Sequence, residues 1–354
     1  MRQESIFPGQ PWLDTNGNAI QAHGGAVYYE DGVYYWYGEN KEHTDGTSDV
    51  WTWGIKVYSS RDLCNWQDDG YLVEPDVDDP ASPLHPSKRV DRPHILRCPQ
   101  TGRYVLWLKL SGKDACFVVL SSERLLGPYQ MENPCLRPEG GEAGDFDMVQ
   151  DSASGKAYLY VSINHSDVVG YALTADYLNV QEEVSRQYGG LHSPFTREGI
   201  AVFEHTGKMY MLTSGMSGYI PNRSDSAVSG SWEEPFVSLG NPHVNDDSRA
   251  SFNSQISKVF RVEGTDQLIA MADRWVPDYP VDAHRADLFE RAIAAHFEPE
   301  KYHVLPEEKR ELMNSPMLQS ANTSKALYVW LPIRWERDMP KICLLYTSDA
   351  ADDL

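Results

Sequence analysis

Asp31-Gly-Val-Tyr-Tyr-Trp-Tyr37 pairs a Gly turn with a short run of aromatic and branched residues, and the same phrase returns four times. It recurs as Thr101-Gly-Arg-Tyr-Val-Leu-Trp107, Ser154-Gly-Lys-Ala-Tyr-Leu-Tyr160 and Thr206-Gly-Lys-Met-Tyr-Met-Leu212, and more weakly as Gly264-Thr-Asp-Gln-Leu-Ile-Ala270. The first spacing is about 70 residues and the rest are roughly 50–60, the range of propeller blades built from several short strands. A second phrase follows most copies. Ile55-Lys-Val-Tyr-Ser-Ser, Phe117-Val-Val-Leu-Ser-Ser and Gly170-Tyr-Ala-Leu-Thr-Ala each read as a strand closed by small residues, and Ala227-Val-Ser-Gly-Ser-Trp232 is a reduced version. Aromatic anchors such as Trp66 and Tyr129 come next, ahead of an outer strand. A β-sandwich would also give many short strands, but five paired repeats in one order predict an all-β, five-bladed β-propeller. Such a fold gathers loops from every blade around one axial pocket, so residues far apart in sequence can share a site.

The 354 residues suit a single propeller domain over 1–342. Residues 343–354 read as a foreign tail resembling translated sequencing-adapter read-through, which implies a truncated C-terminal end. A net charge of −21 argues against nucleic acid, anionic membranes and polyanionic substrates, and leaves a neutral ligand. With 10 Trp and 20 Tyr there are aromatic planes to staple blades and to spare for the apolar faces of sugar rings. Cys64, Cys98, Cys116, Cys135 and Cys343 form no Cys-x-x-Cys pair, so neither a metal nor a redox motif is expected. The start lacks an apolar signal region and no stretch is apolar enough to span a bilayer. The expectation is a cytoplasmic protein, or a secreted one should its N-terminus be incomplete. Nothing in the sequence sets an oligomeric state.

Polar residues recur where strands begin. His23 precedes Gly24-Gly25 at the entrance to the first blade, and Glu39 ends an otherwise apolar strand. Asp91-Arg92 stands before Pro93, which favours extended backbone ahead of it. Asp145 and Asp147 alternate with Phe146 and Met148, so one of the two acids is expected to point into the axial pocket. Arg197-Glu198-Gly199 opens the fourth blade, and Asn253-Ser254-Gln255 the fifth. His23, Asp91, Asp147, Glu198 and Gln255 thus read as equivalent places in successive blades. Converging carboxylates suit glycoside hydrolysis, in which one protonated carboxyl serves the leaving oxygen while an opposed base activates water. Each of these positions has a bland alternative: a surface ion pair for Asp91, a solvated rim for Glu39, a structural histidine at His23.

From Trp12 to about Ile342 the chain resembles glycoside hydrolase family 43, in particular its exo-β-1,3-galactanase and galactosidase branch. The carriers are Trp12-x-Asp14-Thr15-x-Gly17, Ala22-His23-Gly24-Gly25, Tyr35-Trp36-Tyr37-Gly38-Glu39, Asp91-Arg92-Pro93, Arg197-Glu198, Asn253-Ser254-Gln255 and Trp330-Leu-Pro. The resemblance implies a five-bladed propeller acting by inversion on a neutral oligosaccharide or polysaccharide. It implies that Glu198 is the general acid, held protonated at working pH, and that Asp91, where galactanases usually carry Glu, tunes it and orients the sugar. Glu39, Asp147, His23, Asn164, Ser217 and Arg197 are implied sugar-binding positions. Most of the family has an Asp base at the start of the first blade, whereas this chain has His23-Gly24-Gly25 there, a lack shared with the galactanase branch. The resemblance then implies Gln255 as the residue facing the water, with Glu39 and Asp147 as rival bases. No cofactor is expected. Calcium in the axial channel occurs in some relatives, but no motif here requires it. The expected activity is inverting exo-release of terminal galactose from β-1,3-linked galactan or galacto-oligosaccharides. The alternatives are a β-xylosidase or α-L-arabinofuranosidase of the same family, and a sugar-binding propeller without catalysis.

Overall fold

The computed structural model describes residues 3–113, 115–315 and 322–344. The distal part of the proposed tail, from residue 345 on, lies outside them. Five antiparallel sheets form a five-bladed β-propeller, and each blade is one continuous piece of chain. Blade one is β1 (His23–Glu30), β2 (Val33–Glu39), β3 (Ile55–Ser60) and β4 (Gln67–Val73). Blade two is β5 (Arg89–Arg97), β6 (Tyr104–Ser111), β7 (Cys116–Ser122) and β8 (Gln130–Leu136). Blade three is β9 (Ala143–Gln150), β10 (Ala157–Ile163), β11 (Asp167–Leu173) and β12 (Val180–Gln187). Blade four is β13 (Arg197–His205), β14 (Lys208–Gly215), β15 (Asp225–Ser229) and β16 (Val237–Gly240). Blade five starts with β17 (Gln255–Arg261) and β18 (Leu268–Arg274). After an excursion through helices α1 (Ala283–Phe297) and α2 (Pro306–Met313) it resumes with β19 (Leu327–Tyr328), β20 (Leu331–Glu336) and β21 (Met339–Ile342).

The quoted phrases fall where their chemistry dictates. All five copies of the first become the second strand of a blade, with the Gly turn as the hairpin from the innermost strand. Tyr, Trp and branched residues suit that place because it is covered on both faces by neighbouring blades. Trp36, Trp107, Tyr160 and Tyr210 are each sealed from solvent. The second phrase becomes the third strand in blades one to four. Between blades one and five, Trp12, Trp36, Trp66 and Trp330 interlock edge to face, with ring centroids 4.7–6.0 Å apart. Around the axis, Ser257 of β17 donates its hydroxyl to the Gly25 carbonyl of β1 at 2.9 Å, joining the last blade to the first.

The innermost strands share one irregularity. His23 opposes Glu39, Asp91 opposes Lys109, Ala143 opposes Ile163, Glu198 opposes Ser214 and Gln255 opposes Asp273. In blades one to four the ladder slips by a bulge after this pair and resumes three residues on, and in blade five it slips one pair later, between Ile256 and Lys258. A bulge kinks the strand and re-aims its side chains, so every blade turns its first inner residues toward the axis. In three blades the next residue is left-handed: Gly24 (φ +57°), Arg92 (φ +48°) and Gly199 (φ +59°). A Cβ on Gly24 would sit 2.4 Å from the Glu39 Oε1, so glycine is required there for space as well as conformation.

Candidate active site

At the axial end of these bulges lies a cleft of about 440 Å³ lined by Glu39, Asp91, Asp145, Glu198 and Gln255, with Trp51, Tyr219 and Trp275 among its walls. Arg92 organises its floor. Its backbone N–H donates to Glu39 Oε1 at 3.0 Å, and its Nη2 reaches Gln255 Oε1 at 2.6 Å and Asp145 Oδ2 at 2.9 Å. One residue thereby ties four blades together through its backbone and side chain, and these contacts hold a non-glycine residue in a left-handed conformation.

Glu198 is half-buried at the cleft, where its nearest polar neighbour is the Gln255 amide, 3.4 Å from Oε1. Protein packed around the carboxyl, and then the negative charge of Asp145, push its pKa up to about 8, against the pull of Lys109, Arg92 and Arg197. Asp145 is the opposite case. Burial alone would raise it, but Arg92 and Lys109, the latter 2.5 Å away, outweigh burial and hold it well below the usual carboxylate range. One protonated and one ionised carboxyl side by side form the arrangement needed to keep an acid ready at neutral pH. Glu39 is pushed up to about 7 by burial, which Lys41 at 2.8 Å opposes and the charge of Asp91 reinforces. Asp91 accepts from the Trp51 indole at 2.8 Å and from the Ser111 hydroxyl at 2.5 Å, so its carboxylate fixes one aromatic wall.

Gln255 is held on all sides. Its Oε1 accepts from Arg92 and from the Trp275 indole at 3.2 Å, and its Nε2 donates to Ser214 Oγ at 2.9 Å. Tyr219 crosses Trp275 at 71°, with centroids 5.8 Å apart.

The remaining sequence-predicted residues lie elsewhere. Asp147 stands four residues beyond the shared register, and its equivalents in the other blades are Val27, Ile95, Val202 and Val259. It is fully buried on the axis below the cleft, accepting from Lys258 at 2.5 Å and from the Val202 N–H at 2.8 Å, with His94 3.6 Å away. Of the two acids flanking Phe146, it is Asp145 that lines the cleft. His23 is buried against Tyr328, stacked at 4.8 Å, with its Nδ1 3.1 Å from Asp273, and does not line the cleft. Asn164 is exposed and accepts from the Glu142 N–H, while its neighbour His165 lines the rim. Arg197 and Ser217 face a separate cavity. The sequence reading passed over Lys109, Trp51, Tyr219 and Trp275. A lysine inside Leu-Trp-Leu-Lys-Leu and a tryptophan just after Asp273-Arg274 were the available signals, since an inner strand has no solvent for a charge to reach.

Among the described residues no three His, Cys, Asp or Glu side chains are placed to hold a metal ion. No helix there is long and apolar enough to cross a membrane.

Residues 21–250 match the sequence profile of glycosyl hydrolases family 43. The chain belongs to glycoside hydrolase family 43. Solved structures of this family share its architecture. A family 43 β-1,3-galactosidase superposes with a TM-score of 0.76 at 26% identity, over 98% of this chain and 64% of that one. An exo-β-1,3-galactanase from Phanerochaete chrysosporium, solved with β-1,3-galactotriose, gives 0.74 at 23% identity over 95% of this chain and 66% of that one. A second β-1,3-galactosidase, solved with galactodeoxynojirimycin, gives 0.75 at 23% over 97% and 99%. The chain therefore spans about two thirds of the length of the first two relatives. No curated protein matches it in sequence.

Proposed function

We infer that this family 43 hydrolase is an exo-acting, inverting β-galactosidase that removes terminal galactose from β-1,3-linked galactan or galacto-oligosaccharides. The observation that carries the reading is Glu198, a carboxyl kept protonated to about pH 8 in a cleft of sugar dimensions beside the ionised Asp145. β-1,3-galactan-acting enzymes among its structural relatives supply the sugar and linkage.

In this mechanism Glu198 donates its proton to the leaving glycosidic oxygen as the bond breaks. Asp145 keeps that proton in place beforehand, and Arg92 and Lys109 balance the charge left on Glu198 once it is given up. Inversion needs a water on the opposite face of the sugar, and Gln255 orients it. The Gln255 oxygen is a poor proton acceptor, because a guanidinium and an indole already donate to it. The proton passes to Glu39, the other cleft carboxyl with a pKa near neutrality. Trp51, Tyr219 and Trp275 offer apolar faces to the sugar ring. The reaction so drawn uses side chains alone.

The test is product release from a β-1,3-galacto-oligosaccharide, with the anomer followed by NMR. α-Galactose from wild type, with release lowered about 10³-fold in Glu198→Gln, is the expected result. Turnover of nitrophenyl xyloside or arabinofuranoside in its place would transfer the reading to a pentosidase. Binding without any turnover would make the protein a sugar-binding propeller.

A further inference from the structure

Beside the cleft is a second cavity of about 460 Å³, open to solvent and lying between blade four and helix α1. The loop from Met216 to Asn222 is the partition. Gly218 and Tyr219 face the cleft, while Ser217 and Asn222 face the second cavity. Arg197 forms part of its wall, although Glu198, its neighbour in β13, faces the cleft.

Arg197 is 9% exposed, and its donors are spent unevenly. Nε donates to Thr213 Oγ1 at 2.9 Å, and Nη2 to the carbonyls of Thr213 at 2.9 Å and Arg223 at 3.3 Å. Nη1 donates to nothing, and the guanidinium has no carboxylate partner among the described residues. A buried charge without a counter-ion is costly, and burial pushes the Arg197 pKa down accordingly. The nearby acids have other donors. Asp225 accepts from Tyr188 Oη at 2.7 Å and Ser238 Oγ at 2.9 Å, and Glu290 lies 3.7 Å from Arg223. Arg223 is already paired with Asp287 at 3.2 Å, which leaves Arg197 and Arg249 as the arginines on this wall without a carboxylate partner among the described residues.

We propose that this cavity is a binding site for a small polyhydroxylated monocarboxylate of the size of a hexuronate, its carboxylate on Arg197 Nη1. The wall suits the rest of such a molecule. Phe195 and Phe289 offer apolar faces, Ser224 and Asn241 offer hydroxyl and amide groups, and the volume is close to that of the cleft. Arginine is the side chain best suited to a carboxylate.

The probe is galacturonate, titrated calorimetrically into the full chain, with galactose as the neutral control. Wild type should bind galacturonate saturably with Kd on the order of 1 mM or tighter, and saturating galactose should not displace it. Ala286→Trp, which fills the cavity from helix α1, should abolish this binding and leave glycoside hydrolysis unchanged. Arg197→Gln should weaken it at least ~10-fold, and Arg197→Lys should restore part of it. Methyl galacturonoside separates the two sources: equal affinity points to a uronate branch of a polymer, and binding of the free acid alone to a metabolite. The proposal is overturned by absence of binding in folded wild type, by displacement with galactose, or by full binding in Ala286→Trp. Should Arg197→Gln not fold, the Ala286→Trp comparison decides alone.

Discussion

Asp145 and Asp147 are two residues apart on one strand, and both are buried, yet they sit in opposite kinds of site. Asp147 lies on the sealed axis, where Lys258 and the Val202 amide take up its charge. His94 beside it is held well below its usual pKa by burial and then by Lys258 and Arg92, so it stays neutral. The axis is thus one lysine matched to one aspartate in a cross-blade tie sealed from any ligand, where burial pushes the Asp147 pKa up against the pull of Lys258. In the cleft, Arg92 and Lys109 are matched first to Asp145, and Glu198 is left half-buried and over-supplied with negative charge. The difference is one unneutralised acid open to ligand. Neutralisation makes a staple, and its incompleteness leaves a carboxyl that keeps its proton at the cleft.

The largest break in this contrast is expected at Glu198. Glu198→Gln should lower kcat on β-1,3-galactobiose by about 10³-fold, within the usual worth of general acid catalysis, without loss of thermal stability. At the axis the expected damage is reversed. Lys258→Met leaves Asp147 buried without its cation and should cost about 3–5 kcal/mol in chemical denaturation, while the pH–rate profile of the surviving fold keeps its alkaline limb. If that limb moves instead, axis and cleft are one electrostatic unit and the contrast fails.

Subtler changes sharpen it. Wild-type activity should fall as pH rises through about 8, where Glu198 loses its proton. Asp145→Asn removes the charge that helps hold this proton and frees Arg92 and Lys109, so the alkaline limb should move to lower pH by about one unit or more. Stability follows the same protons. Glu198 and Glu39 both bind protons more tightly folded than unfolded, so their stabilisation is complete below the unfolded carboxyl pKa and is lost as pH rises through about 7 to 8. Glu198→Gln should flatten the fall of Tm over that window. The smallest effect is expected for Trp275→Phe, which removes one of two donors to Gln255 and should lower kcat by roughly 10-fold at most.

The propeller was legible in the chain because its signal is local and repeated. A Gly turn followed by Tyr and Trp marks the second strand of every blade, whatever that blade contributes to the site. Glu39, Asp91, Glu198 and Gln255 were legible for a related reason: each stands at the polar edge of an otherwise apolar strand. The choice between Asp145 and Asp147 was not. Simple alternation places both on one side, and only the bulge after Ala143 sends one into the cleft and the other to the axis. Likewise Arg197 and Glu198 are adjacent in sequence, but the pleat of β13 directs them into different cavities.

By itself, then, the sequence determined the blades, the family and the set of acids from which the chemistry is drawn, since these follow from composition, turns and periodicity within short windows. Which acid keeps its proton, which is neutralised, and which arginine is left without a partner were decided only when five blades closed. Those properties depend on charges brought within a few ångströms of one another from strands 50 or more residues apart, as Arg92 and Asp145 are, and on how much water the closure leaves between them.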